Sequence, residues 1–324
     1  MAIGTSSSST FPAYNFTTSP TYTGTFIPTL WSGKLNAKFY KATVFGDIAN
    51  TSYEGEIKGI GDKITINNIP DITISNYTVG MQLSYQVPTP STIDLTIDKA
   101  KYFGVNVSDV LDYQAKPDLM GIFQDDASMQ MKIAIDSDVL LNTCLGGASA
   151  NKGSGAGVIS GAFSLGTDAS PITLSATNTL PLVTQLSTVL DEQNIPETDR
   201  WLVIPGFMRQ WLMQTPLAQA YVTGDGQSPL RNGKIGRIDR FDIYVSNQLP
   251  TAASGKAYDG TTSAGAAKRT AVMAGHKTAI SFASQITKVE QVQNPYDFGS
   301  FIRGLNVYGY KVLKPEGLAL AQVV

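Results

Sequence analysis

Along the chain the spacing of apolar residues switches between the helical and the extended period, and the switches mark the elements. Leu35, Phe39, Ala42 and Phe45 recur at helical spacing, with Ser32 placed to cap the start and Gly46 and Asp47 placed at the end. Beyond Tyr53 the period shortens to two. Ile64 and Ile66, then Ile72 and Ile74, alternate with polar neighbours as half-buried strands do, around a turn cluster of Asn67, Asn68, Pro70 and Asp71. Pro88 and Pro90 punctuate the run before Ile93, Leu95 and Ile97 alternate with Asp94, Thr96 and Asp98 in the clearest strand of the set. A short amphipathic helix feeding a long polar β-excursion is the build of an arm that reaches beyond its own domain, and so of a protein that assembles.

Residues 118–144 read as one long helix. Phe123, Ala127, Met131, Ile135 and Val139 recur every fourth residue, and Asp118, directly after Pro117, is placed to cap the first turn. At 1.5 Å per residue such a helix is roughly 40 Å long. The Gly-, Ala- and Ser-rich segment 146–161 then ends regular structure as a loop. The remainder of the chain reads as α/β: a helix over 180–190, a short apolar strand at 201–204, a helix from 207, an alternating strand at Phe241, Ile243 and Val245, and two strands near 286–293 and 305–313. Segment 252–269 reads as a surface loop, and residues 1–25, rich in Ser and Thr with Pro12 and Pro20, as an extended arm ordered by a neighbour. No internal repeat of solenoid or propeller length occurs.

Composition narrows the class. A chain of 324 residues buries a substantial core without disulfide staples, and its single cysteine, Cys144, has no intrachain partner. Cys144 fits as a small apolar residue near a helix end, and a reducing place of synthesis agrees with it. With a formal charge of -2 and 15% charged residues, the chain has no net basic character with which to wrap DNA tightly. The start lacks a basic segment followed by an apolar run, so no signal peptide is expected, and no apolar stretch reaches membrane-spanning length. Sequons beginning at Asn15, Asn50, Asn76 and Asn106 are read as chance in an Asn- and Thr-rich sequence.

The residues that carry chemistry are sparse. His276 is the sole histidine, which leaves no His-rich metal site and one candidate base for any Ser-His-Asp arrangement; after Gly275 it is expected in a turn or hydrogen-bonded locally. No G-x-S-x-G is present, which speaks against an α/β-hydrolase, and the glycine-rich segment contains no phosphate-cradling motif. Asp125 with Asp126, and Asp136 with Asp138, do not converge on one point of a helix and are expected to form a solvated face. No catalytic residue, cofactor or metal is expected.

Several segments, in order, resemble the major capsid (coat) protein family of tailed bacteriophages. They are FIP..WS near the start, N..YEGEIK..GD from Asn50 to Asp62, LTIDKAKYFGVNVSDV at 95–110, NGKIGRIDRFDIYVSNQLP at 232–250, AGHKTAISFASQITKVE at 274–290 and FGSFIRGLNVYGYKVLKPEGL at 298–318. Each is short, but together they cover nearly the whole chain. The resemblance implies an α+β tailed-phage major capsid protein (Johnson-type) fold, with an N-terminal arm and helix at 1–52 and an extended β-hairpin loop at 53–100. It further implies a peripheral domain with the spine helix at 101–171, an axial α/β domain at 172–282, and peripheral-domain strands with the C-terminus at 283–324. Arg240 departs from the pattern, standing where the family usually has a glycine before the Phe.

The function so implied is a structural subunit, not an enzyme, that self-assembles into an icosahedral capsid shell around double-stranded DNA. Its partners would be copies of itself in hexamers and pentamers, a separate scaffolding protein, a portal protein at one vertex, and DNA enclosed without sequence-specific binding. No membrane is involved; the place is the virion, after synthesis in the host bacterial cytoplasm. An encapsulin-like compartment shell is the alternative. Candidate subunit contacts are the aromatics Trp31, Tyr53 and Tyr77. The loop charges Glu54, Glu56, Lys58, Asp62 and Lys63 either set register with a neighbour or keep the hairpin soluble. Trp31 packs within or between subunits, and Arg303 pairs with a neighbour's acidic loop or within its own chain.

Overall fold

The computed structural model describes residues 41, 43–53, 63–70, 72–108, 119–215, 236–251, 269–294 and 298–324. In chain order the elements are helix α1 (Phe45–Ile48), strands β1 (Lys63–Asn68), β2 (Ser91–Thr96) and β3 (Lys99–Ser108), and helices α2 (Leu119–Thr143) and α3 (Thr179–Glu192). Then come β4 (Arg200–Ile204), α4 (Gly206–Gln214), β5 (Arg237–Ile238), β6 (Phe241–Val245), β7 (Thr270–His276), β8 (Ile280–Gln293), β9 (Gly299–Val312) and β10 (Leu318–Val323). They build three sheets: the antiparallel pair β1–β2, a three-stranded antiparallel sheet in the order β3-β9-β8, and a five-stranded sheet in the order β10-β7-β4-β6-β5 in which only β4–β6 is parallel.

The five-stranded sheet is the centre of the core because both of its faces are covered. Alternate residues of a strand point to opposite faces, and here the two sets go to two separate apolar clusters. Leu202 and Ile204, Val272 and Ala274, and Ala319, Ala321 and Val323 pack with Leu182, Leu186, Val189 and Leu190 of α3 and with Met208 and Leu212 of α4. Trp201 and Val203, Met273, and Leu318 and Leu320 pack on the other side with Ile135, Val139 and Leu140 of α2, Val44 and Ile48 of the α1 region, and Phe282 and Tyr308. Burial on both faces removes the alternation from the sequence. That is why β7 and β10, whose every residue is buried, carry no readable strand period. β10 belongs to this sheet, so the expected segment 283–324 divides between two sheets.

Three local expectations are corrected. Residues 41, 43 and 44 are described and not helical, and α1 begins only at Phe45, so Gly46 and Asp47 lie inside its single turn, capped by Ala49, instead of ending a longer helix; Leu35, Phe39 and Ala42, with Ser32, fall outside the described residues. Asn67 and Asn68 are paired with Thr92 and Ser91 inside β1–β2, so the turn begins after them. Ile72 and Ile74 are not half-buried strand residues: both are exposed and neither belongs to a ladder. The long helix is found over Leu119–Thr143, followed by a 3₁₀ turn at Cys144–Gly146 with Cys144 buried. Its expected cap, Asp118, lies outside the described residues.

Between β5 and β6, Asp239 (φ 44°) and Arg240 (φ 70°) both take the left-handed conformation. A two-residue hairpin link with φ positive at both positions is the type I′ geometry that favours glycine second. The glycine expected at position 240 by resemblance therefore has a backbone reason, and Arg240 adopts the conformation without one.

Candidate functional site: the extended loop and its root

The β1–β2 register pairs Lys63 with Thr96 and Asn68 with Ser91. The same offset carried outward sets Thr73 opposite Gln86, and there the Thr73 amide donates to Gln86 Oε1 (3.1 Å) while Gln86 Nε2 donates to the Thr73 carbonyl (3.0 Å). It also puts the tip between Val79 and Gly80, where the Met81 amide closes a turn onto the Thr78 carbonyl (3.1 Å) with Gly80 at φ 88°. Residues 69–70 and 72–90 thus belong to two legs of one ribbon that keep register without a ladder between them.

That register sorts the ribbon's side chains. Ile72 falls opposite Val87 and Ile74 opposite Tyr85, with Leu83 and Met81 following in the same alternation, whereas Thr73 faces Gln86 and Ser75 faces Ser84. The first face gathers most of the apolar side chains, beside Asn76 and Thr78, and the second is mostly polar but carries Tyr77 and Val79 toward the tip. Every described residue from 72 to 92 is exposed, and at the extremes Ile69 is 93% and Val79 94% accessible. The two-residue period is real, but no described segment of this chain covers its apolar face.

The root is firmly built. Leu95, Ile97, Ala283 and Val307 form a small core against which Tyr53, Ile64, Ile66 and Leu305 pack. Asp94 bridges the two strands, accepting from Thr65 Oγ1 (2.8 Å) and pairing with Lys63 Nζ (3.1 Å); the Thr65 hydroxyl and then the Lys63 ammonium hold its carboxyl below the usual range. Gly309 on β9 lets the exit of β2 cross above it, since a Cβ there would run into the Thr96 carbonyl oxygen and lie 2.9 Å from Ile97 Cα.

Asp136 and Asp138 on α2 are not a solvated face, which corrects the expectation. Asp136 is fully buried and its Oδ1 accepts from the amides of Val44 (3.0 Å) and Phe45 (2.9 Å). Burial raises its pKa against the pull of those two bonds. Asp138 accepts from the phenols of Tyr308 (2.9 Å) and Tyr310 (3.2 Å) and from Asn142 (3.0 Å), with Lys99 Nζ 3.8 Å away. Burial first, and then this carboxylate, pushes the Tyr308 phenol far up. The signal is present in the sequence: Asp136 lies three, four and seven residues before Val139, Leu140 and Thr143, all buried, so it shares their side of the helix.

Of the contact candidates, Trp31, Glu54, Glu56, Lys58 and Asp62 lie outside the described residues. Tyr53 packs at the loop root, Lys63 pairs within the hairpin, and Tyr77 is exposed on the ribbon. Arg303 pairs with Glu290 across β8–β9, where Lys288 joins at 2.7 Å, so it has an intrachain partner. His276 ends β7; its Nδ1 accepts from the Thr278 amide (3.2 Å) and lies 2.8 Å from Thr278 Oγ1, the local hydrogen bonding expected of it. Among the described residues no three His, Cys, Asp or Glu side chains gather as a metal site, and no helix is long and apolar enough to cross a membrane.

A shell subunit is the class that this build defines, with a sheet-centred body and an amphipathic ribbon that its own body leaves bare. The model of the phage capsid protein family matches residues 91–321, and the chain belongs to that family. A structure from Mycobacterium phage Che8 aligns at 26% identity and a TM-score of 0.68, covering 91% of this chain and 97% of that one. The capsids of cyanophage P-SCSP1u and Ralstonia phage GP4 share the fold, at 18% identity with a TM-score of 0.67 and at 12% with 0.62; the alignments cover 92% and 94% of this chain and 93% and 97% of theirs. A sequence comparison with curated proteins gives no match. The chain is a structural subunit of a phage capsid shell, and its place is the virion.

Proposed function

We propose that the subunit tiles as hexamers and pentamers around double-stranded DNA, with the ribbon of residues 69–90 laid over the adjacent copy. The observation that carries this is the bare apolar face of the ribbon, Ile72, Ile74, Met81, Leu83, Tyr85 and Val87, on a hairpin whose register is fixed at root and tip. A strip held in register and covered by a neighbour gives a heterologous contact, which closes into rings when repeated about an axis. Copies interlocked at several such contacts form a shell more stable than any one of them.

In this reading residues 1–52 are an arm, 53–100 the overlapping loop, and 101–171 with the returning strands of 283–324 the peripheral domain; 172–282 form the axial domain around the capsomer centre. Tyr77 is a ribbon anchor. Trp31, Tyr53, Glu54, Glu56, Lys58, Asp62, Lys63 and Arg303 lie at or beside subunit boundaries, where the charges set register. A separate scaffolding protein guides assembly and a portal occupies one vertex. The contained DNA meets a surface that does not read its sequence, and synthesis is in the host bacterial cytoplasm. The role is geometric, with no catalytic step.

Electron microscopy of the expressed chain, with and without a candidate scaffolding protein, tests the proposal. Closed particles are expected from the wild type, and folded but unassembled subunits when residues 69–90 are replaced by a two-residue turn. Particles of normal yield from that variant would overturn the role of the ribbon. Membership of the phage capsid family favours a genome over the protein cargo of an encapsulin-like shell, and nucleic acid extracted from native particles distinguishes the two.

A further inference from the structure

Residues 156–163, in the segment that the sequence presents as a plain loop, form a closed turn. Ala156 and Phe163 exchange both backbone hydrogen bonds (2.8 and 3.1 Å), and the Gly161 amide donates to the Gly157 carbonyl (3.0 Å). Both glycines have positive φ, 105° and 56°. The ends are set in the core: Ala156 and Leu165 are buried in the cluster beneath α3, and Phe163 packs on it. The middle is held by Glu192, at the end of α3, whose Oε2 accepts from the amides of Ile159 (2.9 Å) and Ser160 (3.2 Å). A Cβ on Gly157 would lie 2.7 Å from that oxygen and 2.6 Å from Ser160 Oγ, and at φ 105° the backbone itself favours glycine.

This scaffold displays two adjacent β-branched apolar side chains, Val158 at 55% and Ile159 at 79% accessibility. Packing of Ala156, Phe163 and Leu165 accounts for the ends of the turn, but it does not account for the Glu192 clamp that holds the exposed middle. As a contact it makes sense: backbone and side chains are already ordered, so docking loses little conformational freedom.

We infer that the Val158–Ile159 turn is a preformed contact knob that docks on another copy of this chain in the shell, with Glu192 as its positioning residue. The inference rests on the shell reading. A copy is the partner because the subunit works among copies of itself, because no described segment of its own chain covers the knob, and because two hydrocarbon side chains offer nothing to nucleic acid. The contact is heterologous, the knob of one copy meeting a different surface of the next. It is separate in sequence and structure from the ribbon of residues 69–90.

The test uses the full chain carrying Ile159→Cys, in which the native Cys144 is buried and serves as the silent control. A charged, water-soluble maleimide should label the new thiol at once in free subunits and about tenfold or more slowly in particles, where reaction needs local opening. Equal rates in both forms would overturn the inference. The double change Val158→Asp with Ile159→Asp should leave the melting temperature of the subunit unchanged and reduce particle yield at least about tenfold, whereas Ile159→Val retains assembly. Normal yield from the double-Asp chain would likewise overturn it. Glu192→Ala should lower yield without unfolding the subunit, and Glu192→Gln, which keeps the acceptor, should restore it. If the wild type forms no particles under any condition the shell reading itself fails, whereas particles in which the Ile159→Cys chain labels freely refute only the knob.

Discussion

Asp136, on the long helix α2, accepts a hydrogen bond from the backbone of Phe45 at 2.9 Å across 91 residues of sequence. With the parallel bond from Val44 it fixes the point at which the amino-terminal segment joins the body. Asp136→Ala strands both amides and should cost about 2–3 kcal/mol. Asp136→Asn keeps the acceptor and should lie closer to the wild type at pH 7. Because the native pKa is raised, the folded state holds the proton more tightly than the unfolded chain. Wild-type stability therefore falls as pH rises from 3.8 through the raised value, and the Asn variant should lack that fall. Urea titrations between pH 4 and 7 check both statements.

Gly309→Ala places a methyl group against backbone atoms that cannot rotate away, and it should destabilise by more than about 2 kcal/mol. The damage should be local to the loop root. Hydrogen exchange is expected to rise at residues 91–97, with protection in β4 and β7 retained.

His276 has its pKa lowered, by burial first and also by Arg200 and Lys314, against the opposing pull of Asp199. The unfolded chain binds the proton more readily, so stability falls as pH drops from 6.5 through the native value. His276→Asn can keep the acceptor for the Thr278 amide and should lose this dependence. Thermal melts of the two proteins between pH 7.5 and 5.5 should therefore converge or cross on acidification. Particle formation by the variant should be unimpaired at pH 7.5.

Arg240→Gly replaces a strained left-handed residue by the one suited to its turn. The arginine also pairs with Asp191 (3.3 Å) and Glu197 (3.1 Å) at the surface, contacts that salt weakens. The substitution should be within about 0.5 kcal/mol of neutral at low salt and stabilising by about 1 kcal/mol in high salt. Denaturation at the two ionic strengths reads the difference.

Legibility in the sequence follows burial on one side only. α2 and α3 keep an exposed face and β6 keeps Asp242 exposed between Phe241 and Ile243, so their period survives, as does that of Ile64, Ile66, Ile93 and Leu95 in β1–β2. β7 and β10 are covered on both faces and show no period to read. The ribbon is the converse: Ile72, Ile74 and Val87 alternate with polar neighbours as in a half-buried strand, yet no described segment of the chain covers them. Asp136 and Asp138 look solvated in sequence because closely spaced carboxylates usually are. Their partners, Val44, Phe45, Tyr308 and Tyr310, are some 90 to 170 residues away.

By itself the sequence determined the elements whose residues sort into an apolar and a polar side, together with the ordered motifs that mark the capsid family, because both are written in local spacing. Only the tertiary structure decided which carboxylates are buried, why Gly309 and Gly157 are glycines, and that the ribbon and the Val158–Ile159 turn stand bare. Those properties depend on which distant backbone or side chain comes within a few ångströms, and no local period encodes that.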